Sequence, residues 1–97
     1  MSHQPPDLYT QAETAIAAAK TKLAELAAVL RLRTIDPSTD GDYKHLDNAI
    51  WTAENTLIAC RDLQNAAAPD DLSAAVRRMR RAVDAAQARL DHLRGTP

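Results

Sequence analysis

The stretch that decides the fold is residues 9–30, which read YTQAETAIAAAKTKLAELAAVL. Within it, apolar or small side chains recur at alternating intervals of three and four residues. That interval is the heptad period of a helix that buries one edge against other helices. The residues of this edge are Tyr9, Ala12, Ile16, Ala19, Leu23, Leu26 and Leu30. With Pro5, Pro6 and Asp7 favouring a helix start, the pattern predicts a first helix over about residues 6–34.

The same interval recurs in a second segment, which a linker rich in turn-forming residues separates from the first. Asp36 with Pro37, and Asp40 with Gly41, are pairs that interrupt helices. The second segment predicts a helix over about residues 43–65, with Asp42 as its N-cap. Its repeating positions are Leu46, Ile50, Ala53, Leu57, Cys60 and Gln64.

A third segment follows Pro69 and predicts a helix over about residues 70–94. Its repeating positions are Leu72, Val76, Met79, Val83, Ala86, Leu90 and Leu93. Gly95 stands where a left-handed residue commonly ends a helix. Since short linkers make consecutive helices antiparallel neighbours, we expect an up-down-up arrangement.

Composition supports an all-α fold and excludes several classes of protein. The 97 residues are 45% apolar and 26% charged, which is typical of one soluble globular domain. Only 3% are aromatic and two are glycine, too few for a β-sandwich or barrel. No apolar run is long enough to cross a membrane, and no signal-peptide pattern opens the chain, so we expect no membrane partner. We predict a single domain over 1–97: a three-helix bundle with coiled-coil-like heptad edges, completed by dimerisation.

Charge and cysteine content narrow the setting in which the chain works. A formal net charge of −1 argues against nucleic-acid binding by the chain as a whole. The single cysteine, Cys60, cannot form an intramolecular disulfide, and its place on the repeating edge predicts an inert buried thiol. These features favour a reducing compartment, and we expect a cytoplasmic protein.

Trp51 and Ile58 form the first candidate site. They are seven residues apart, so they lie on one stripe of the second helix, away from its repeating edge. Ala49, Thr56 and Leu63 widen the apolar surface on the other side of that helix. A middle helix that touches two neighbours needs a wide apolar arc, but an exposed Trp–Ile pair would instead mark a partner or self-association surface.

An arginine cluster in the third helix is the second candidate site. Val76 and Met79 occupy the repeating edge, so Arg77, Arg78 and Arg81 are expected to point outward. Arg80 and Arg81 can reach an acid four or three residues on, at Asp84, whereas Arg77 and Arg78 have no acid at helical spacing. Such a patch can bind phosphate or an acidic partner, although a solvated helix face is the simpler interpretation.

The linker over residues 36–47 partly resembles an EF-hand calcium loop. Asp36, Ser38 and Asp40 fall at the first, third and fifth positions, Gly41 at the sixth and Asp47 at the twelfth. Proline at the second position, tyrosine at the eighth and the short Asp47 depart from that motif, and they favour an ordinary interhelical loop with helix caps. His3, His45 and His92 show no metal-binding spacing.

These patterns predict no catalytic residue, no metal and no cofactor, and they favour a protein that is not an enzyme. The predicted function is a non-catalytic protein–protein interaction module: a small adaptor, accessory subunit or regulator that forms homodimers and binds another protein. Its partner-binding residues would be Trp51, Ile58, Arg77, Arg78 and Arg81. The alternative is a small nucleic-acid-binding regulator that uses the arginines between Arg77 and Arg81.

Overall fold

The chain folds as three packed α-helices. A computed structural model describes residues 7–63 and 67–95. The helices are α1 (Leu8–Leu32), α2 (Gly41–Arg61) and α3 (Pro69–Gly95), and a 3-10 turn, Pro37–Thr39, lies between α1 and α2. No strand occurs in the described ranges. The predicted all-helical fold is therefore confirmed.

Helix α1 begins and ends two residues inside the predicted limits. Asp7 is its N-cap, and the carboxylate accepts a hydrogen bond from the Thr10 N–H at 2.7 Å. Pro5 and Pro6 lie outside the described residues. The helix ends where Thr34 adopts a left-handed conformation with φ 58°.

Helix α2 begins earlier than predicted because its N-cap is Asp40 rather than Asp42. The Asp40 Oδ1 atom accepts a hydrogen bond from the Tyr43 N–H at 3.0 Å, so Asp42 lies in the first turn. At the other end the helix stops at Arg61, and a turn follows in which the N–H groups of Asp62 and Leu63 both donate to the Ile58 carbonyl. The rest of the predicted helix, Gln64 and Asn65, lies outside the described residues.

Helix α3 begins with Pro69, where the missing N–H costs no intrahelical hydrogen bond. The Asp71 carboxylate reaches back to accept a hydrogen bond from the Ala68 N–H at 3.0 Å. Gly95 ends the helix, but no glycine in the described ranges has a positive φ. The expectation of a left-handed Gly95 is therefore wrong, and Thr34 holds that conformation at the end of α1 instead.

Side-chain contacts between the helices define their directions. Arg61 near the end of α2 contacts Glu13 near the start of α1, and Lys20 pairs with Glu54 at 2.7 Å. Arg33, just after α1, donates to the Leu93 carbonyl near the end of α3. Helix α2 thus runs antiparallel to α1, whereas α3 runs parallel to α1.

The core consists largely of the residues that the heptad spacing predicts. The side chains of Leu26, Leu30, Leu46, Leu72, Met79 and Leu90 are the largest that are fully buried. Tyr9, Leu23 and Val83, also on the predicted edges, are only partly buried. Alanines beside these edges add to the core: Ala27, Ala49, Ala75 and Ala82. None of the helices within the described ranges is long and apolar enough to span a membrane.

Candidate interaction surfaces

Helix α1 lies between two surface grooves. The α1/α2 groove has a volume of about 330 Å³, and its lining includes Ala17, Leu57 and Ile58. The α1/α3 groove is larger, about 490 Å³. Its lining residues are Thr10, Gln11, Thr14, Ala15, Ala18, Arg80, Val83 and Asp84.

Ion pairs cross the α1/α2 groove at both ends. Glu13 pairs with Arg61 at one end, and Lys20 pairs with Glu54 at the other. Hydrogen bonds from Arg61 to Asp62 and Glu13 raise the pKa of this guanidinium. Glu13 and Glu54 beside the groove thus each have a cationic partner, and Ile58 supplies an apolar surface between the two pairs.

Trp51 and Ile58 are both exposed on α2, and they form what we call the Trp51–Ile58 stripe. Trp51 is 64% exposed and Ile58 is 44% exposed. Ile58 lines the α1/α2 groove, whereas Trp51 lies seven residues earlier in α2 and outside that groove. Asp47 lies four residues before Trp51, is exposed, and makes no ion pair with any described residue.

The wide apolar arc predicted for α2 divides into buried and exposed parts. Ala49 is 2% exposed and belongs to the core, so part of the width is explained by packing against the other helices. Leu63 is 63% exposed, in the turn after α2. Packing among the described residues leaves Trp51 and Ile58 of the stripe exposed.

The arginines of α3 do not all lie together. Arg77, Arg80 and Arg81 line one surface depression of about 370 Å³, which we call the arginine depression, and Arg78 is not among its lining residues. Adjacent residues diverge by about 100° around a helix, whereas residues three or four apart are neighbours. The spacings of three and four residues from Arg77 to Arg80 and Arg81 could have identified this set from the sequence. The sequence prediction named Arg77, Arg78 and Arg81 and omitted Arg80.

All four arginines are exposed, and none forms an ion pair with another residue in the described ranges. The sequence allowed Arg80 and Arg81 to pair with Asp84, but neither pair forms. Arg80 belongs both to the arginine depression and to the α1/α3 groove, so the depression opens onto that groove. These guanidiniums are thus available to an anionic group of a ligand or partner.

Two carboxylates of the predicted 36–47 loop, Asp36 and Asp40, cap helices. Asp36 accepts hydrogen bonds from the N–H and hydroxyl of Ser38, and the N–H bond lowers the pKa of the Asp36 carboxyl. Asp40 caps α2 and pairs with Arg89. No group of three or more metal-ligating side chains is found among the described residues. The predicted helix caps are confirmed, but residues 36–47 do not form one loop, because residues 41–47, the last seven positions of the calcium-loop pattern, lie in α2.

The remaining candidates have simple structural roles or lie at the surface. Cys60 is 8% exposed, and its Sγ lies 3.5 Å from the carbonyl oxygens of Ala67 and Ala68, so the predicted buried thiol is confirmed. His45 and His92 are exposed on different helices, and His3 lies outside the described residues.

No protein-family model, curated protein or solved structure matches this chain.

Proposed function

We propose that this protein is a non-catalytic protein–protein interaction module, a small adaptor, accessory subunit or regulator. The observation that carries this proposal is the exposed Trp51–Ile58 stripe. Trp51 is the only tryptophan of the chain and leaves 64% of its surface uncovered. Tryptophan is among the residues that contribute most at protein interfaces, because it buries a large rigid apolar surface.

The proposal includes a charged contact through Arg77, Arg78 and Arg81. Helix α1 separates these arginines from the Trp51–Ile58 stripe, so we propose two contact surfaces rather than one continuous interface. We further propose that the chain forms a cytoplasmic homodimer and that its heptad edges pack as a coiled coil. The free thiol of Cys60 supports a reducing compartment, and the small core supports dimerisation.

The test is partner capture with variants of the stripe. Trp51→Ala and Ile58→Ala should each reduce retention of a specific partner, Trp51→Ala by about thirtyfold in dissociation constant. Leu63→Ala is the matched control, because Leu63 is as exposed as Trp51 but lies outside the stripe. Quantitative mass spectrometry of proteins captured from the native host would identify the partner, and titration with the purified partner would give the constants. Equal retention by wild type and both stripe variants would reject the stripe as the contact.

The second candidate function is nucleic-acid binding, which the unpaired arginines of α3 favour. If Arg77, Arg80 and Arg81 each neutralise a phosphate, the logarithm of the binding constant should fall with the logarithm of salt with a slope of about −2 to −3. Replacing all three by alanine should abolish binding, whereas Arg31→Ala on α1 should not. A gel shift without retardation at low salt would remove this candidate.

A further inference from the structure

Two surfaces of this chain are complementary in character. The Trp51–Ile58 stripe exposes large apolar side chains, whereas the α1/α3 groove is a depression lined in part by small or apolar side chains such as Ala15, Ala18 and Val83. Helix α1 separates them, so one chain cannot bring its own stripe into its own groove. A second copy can.

The groove is long enough to hold the stripe. A smaller groove between α1 and α3, lined by Leu8 and Ser73 among others, shares Gln11 and Arg80 with the α1/α3 groove and extends it. From Leu8 to Ala18 the concave surface spans about 15 Å along α1. The Trp51–Ile58 stripe spans about 10 Å along α2, or about 16 Å when the exposed Asp47, one turn earlier, is included.

The charges on the two surfaces are also complementary. The concave surface carries Arg77, Arg80 and Arg81, which have no ion pair in the described ranges, against the single acid Asp84. The stripe carries Asp47, which is also unpaired among the described residues. Ion pairs between Asp47 of one copy and these arginines of another would fix the register of the stripe in the groove.

We infer that the Trp51–Ile58 stripe of one copy binds the α1/α3 groove of a second copy, with the Trp51 indole against Ala15, Ala18 and Val83. This inference rests on the proposed function and specifies the self-association within it. Because the stripe and the groove are different surfaces, one such contact leaves one stripe and one groove free. Two copies that exchange both contacts form the closed homodimer of the proposed function, whereas copies that do not close in this way add further chains.

Complementation between two variants tests this contact. Trp51→Ala removes the stripe but keeps the groove, and the triple variant Arg77→Glu, Arg80→Glu and Arg81→Glu impairs the groove but keeps the stripe. Sedimentation velocity should find each variant alone monomeric, with association weakened about thirtyfold or more relative to wild type. An equimolar mixture should form a one-to-one complex and nothing larger. The triple variant supplies the only intact stripe, and the Trp51→Ala variant supplies the only intact groove.

Tryptophan fluorescence gives an independent readout. In the mixture only the triple variant carries Trp51, so a blue shift on adding the Trp51→Ala chain reports burial of the indole in the groove. Arg31→Glu is the charge control and should associate like wild type, because Arg31 is exposed on α1 and lines neither the α1/α3 groove nor the arginine depression. Ala18→Lys fills the groove without altering an arginine and should behave like the triple variant. Circular dichroism of each variant verifies folding.

The inference is wrong if the wild-type chain is monomeric at concentrations on the order of 1 mM. It is also wrong if the Trp51→Ala variant alone still self-associates, or if the mixture of the two variants stays monomeric. If the wild type is monomeric but captures a partner in a manner that depends on Trp51, the proposed function stands and only the second copy is rejected. If the groove binds an acidic peptide or a nucleic acid and not a second copy, the mixture of the two variants stays monomeric and the inference is rejected.

Discussion

Thr34 is the residue whose backbone conformation fits its side chain least well. Its φ of 58° lies in the left-handed region, which β-branched residues seldom adopt. The conformation closes α1 in a Schellman arrangement: the Ile35 N–H donates to the Leu30 carbonyl at 2.9 Å, and the Thr34 N–H donates to the Arg31 carbonyl at 3.0 Å. Ile35 packs against the core beyond this turn.

We expect Thr34→Gly to stabilise the protein by about 0.5–1 kcal/mol. Glycine relieves the left-handed strain, and the greater flexibility of the unfolded glycine chain offsets part of that gain. Urea unfolding followed by circular dichroism measures the difference. Thr34→Ala is the control, since alanine keeps the strain of a Cβ atom and should give no comparable gain. A glycine variant no more stable than the alanine variant would contradict this account.

At the scale of the elements, one carboxylate joins the start of α2 to α3. Asp40 caps α2 through Oδ1, while its Oδ2 accepts a hydrogen bond from Nε of Arg89 at 3.2 Å and forms an ion pair with Nη2 at 3.1 Å. The Asp40 side chain is only 6% exposed and that of Arg89 is 29% exposed. Ions this shielded from water interact more strongly than a surface pair, and each depends on the other for its partner.

Asp40→Ala should therefore destabilise the protein by about 3 kcal/mol, because it removes both the cap and the partner of Arg89. Asp40→Asn keeps a capping oxygen and should cost less, about 1–2 kcal/mol. Urea unfolding would measure both, and the exposed Asp84→Ala would serve as a control with a change within about 0.5 kcal/mol. Equal losses for the alanine and asparagine variants would show that the cap contributes nothing.

Helix positions were easier to predict than helix ends. The heptad spacing depends on one physical requirement, burial of one helix edge, and residues such as Leu26 and Met79 satisfy it. The cap of α2 depends on a competition between Asp40 and Asp42, which both have suitable carboxylates. Asp40 also has Arg89 within reach on α3, a contact that spacing along one helix does not reveal.

At the scale of the whole molecule, the sequence places side chains on one helix but does not decide which of them a neighbouring helix covers. The seven-residue spacing put Trp51 and Ile58 on one stripe and left open whether a second helix covers it; in the structure both are exposed. The α1/α3 groove was not found in the sequence, since it depends on which helices become neighbours. Arg80 lines the groove together with Thr14 and Ala18 of α1, so its position depends on the packing of α3 beside α1 and not on the arginines next to it in the chain.

Acid should weaken this fold, because several of its helix caps and ion pairs use ionised carboxylates. The Thr10 N–H lowers the pKa of Asp7, the Ser38 N–H lowers that of Asp36, and Lys22 lowers that of Glu25. A carboxyl whose pKa is lower in the folded state stabilises that state above its unfolded pKa. The contribution is lost as pH falls through the folded value.

The free energy of unfolding should therefore be constant from neutral pH down to the ordinary carboxyl values, 4.5 for Glu and 3.8 for Asp, and should decline below them. Asp7→Asn keeps a capping oxygen but cannot titrate. At neutral pH it should match the wild type closely, and its stability should fall less steeply as the pH is lowered. Urea unfolding at pH 7, about 4.5 and about 3 compares the two. Parallel declines for both proteins would mean that the Asp7 carboxylate has no part in the acid response.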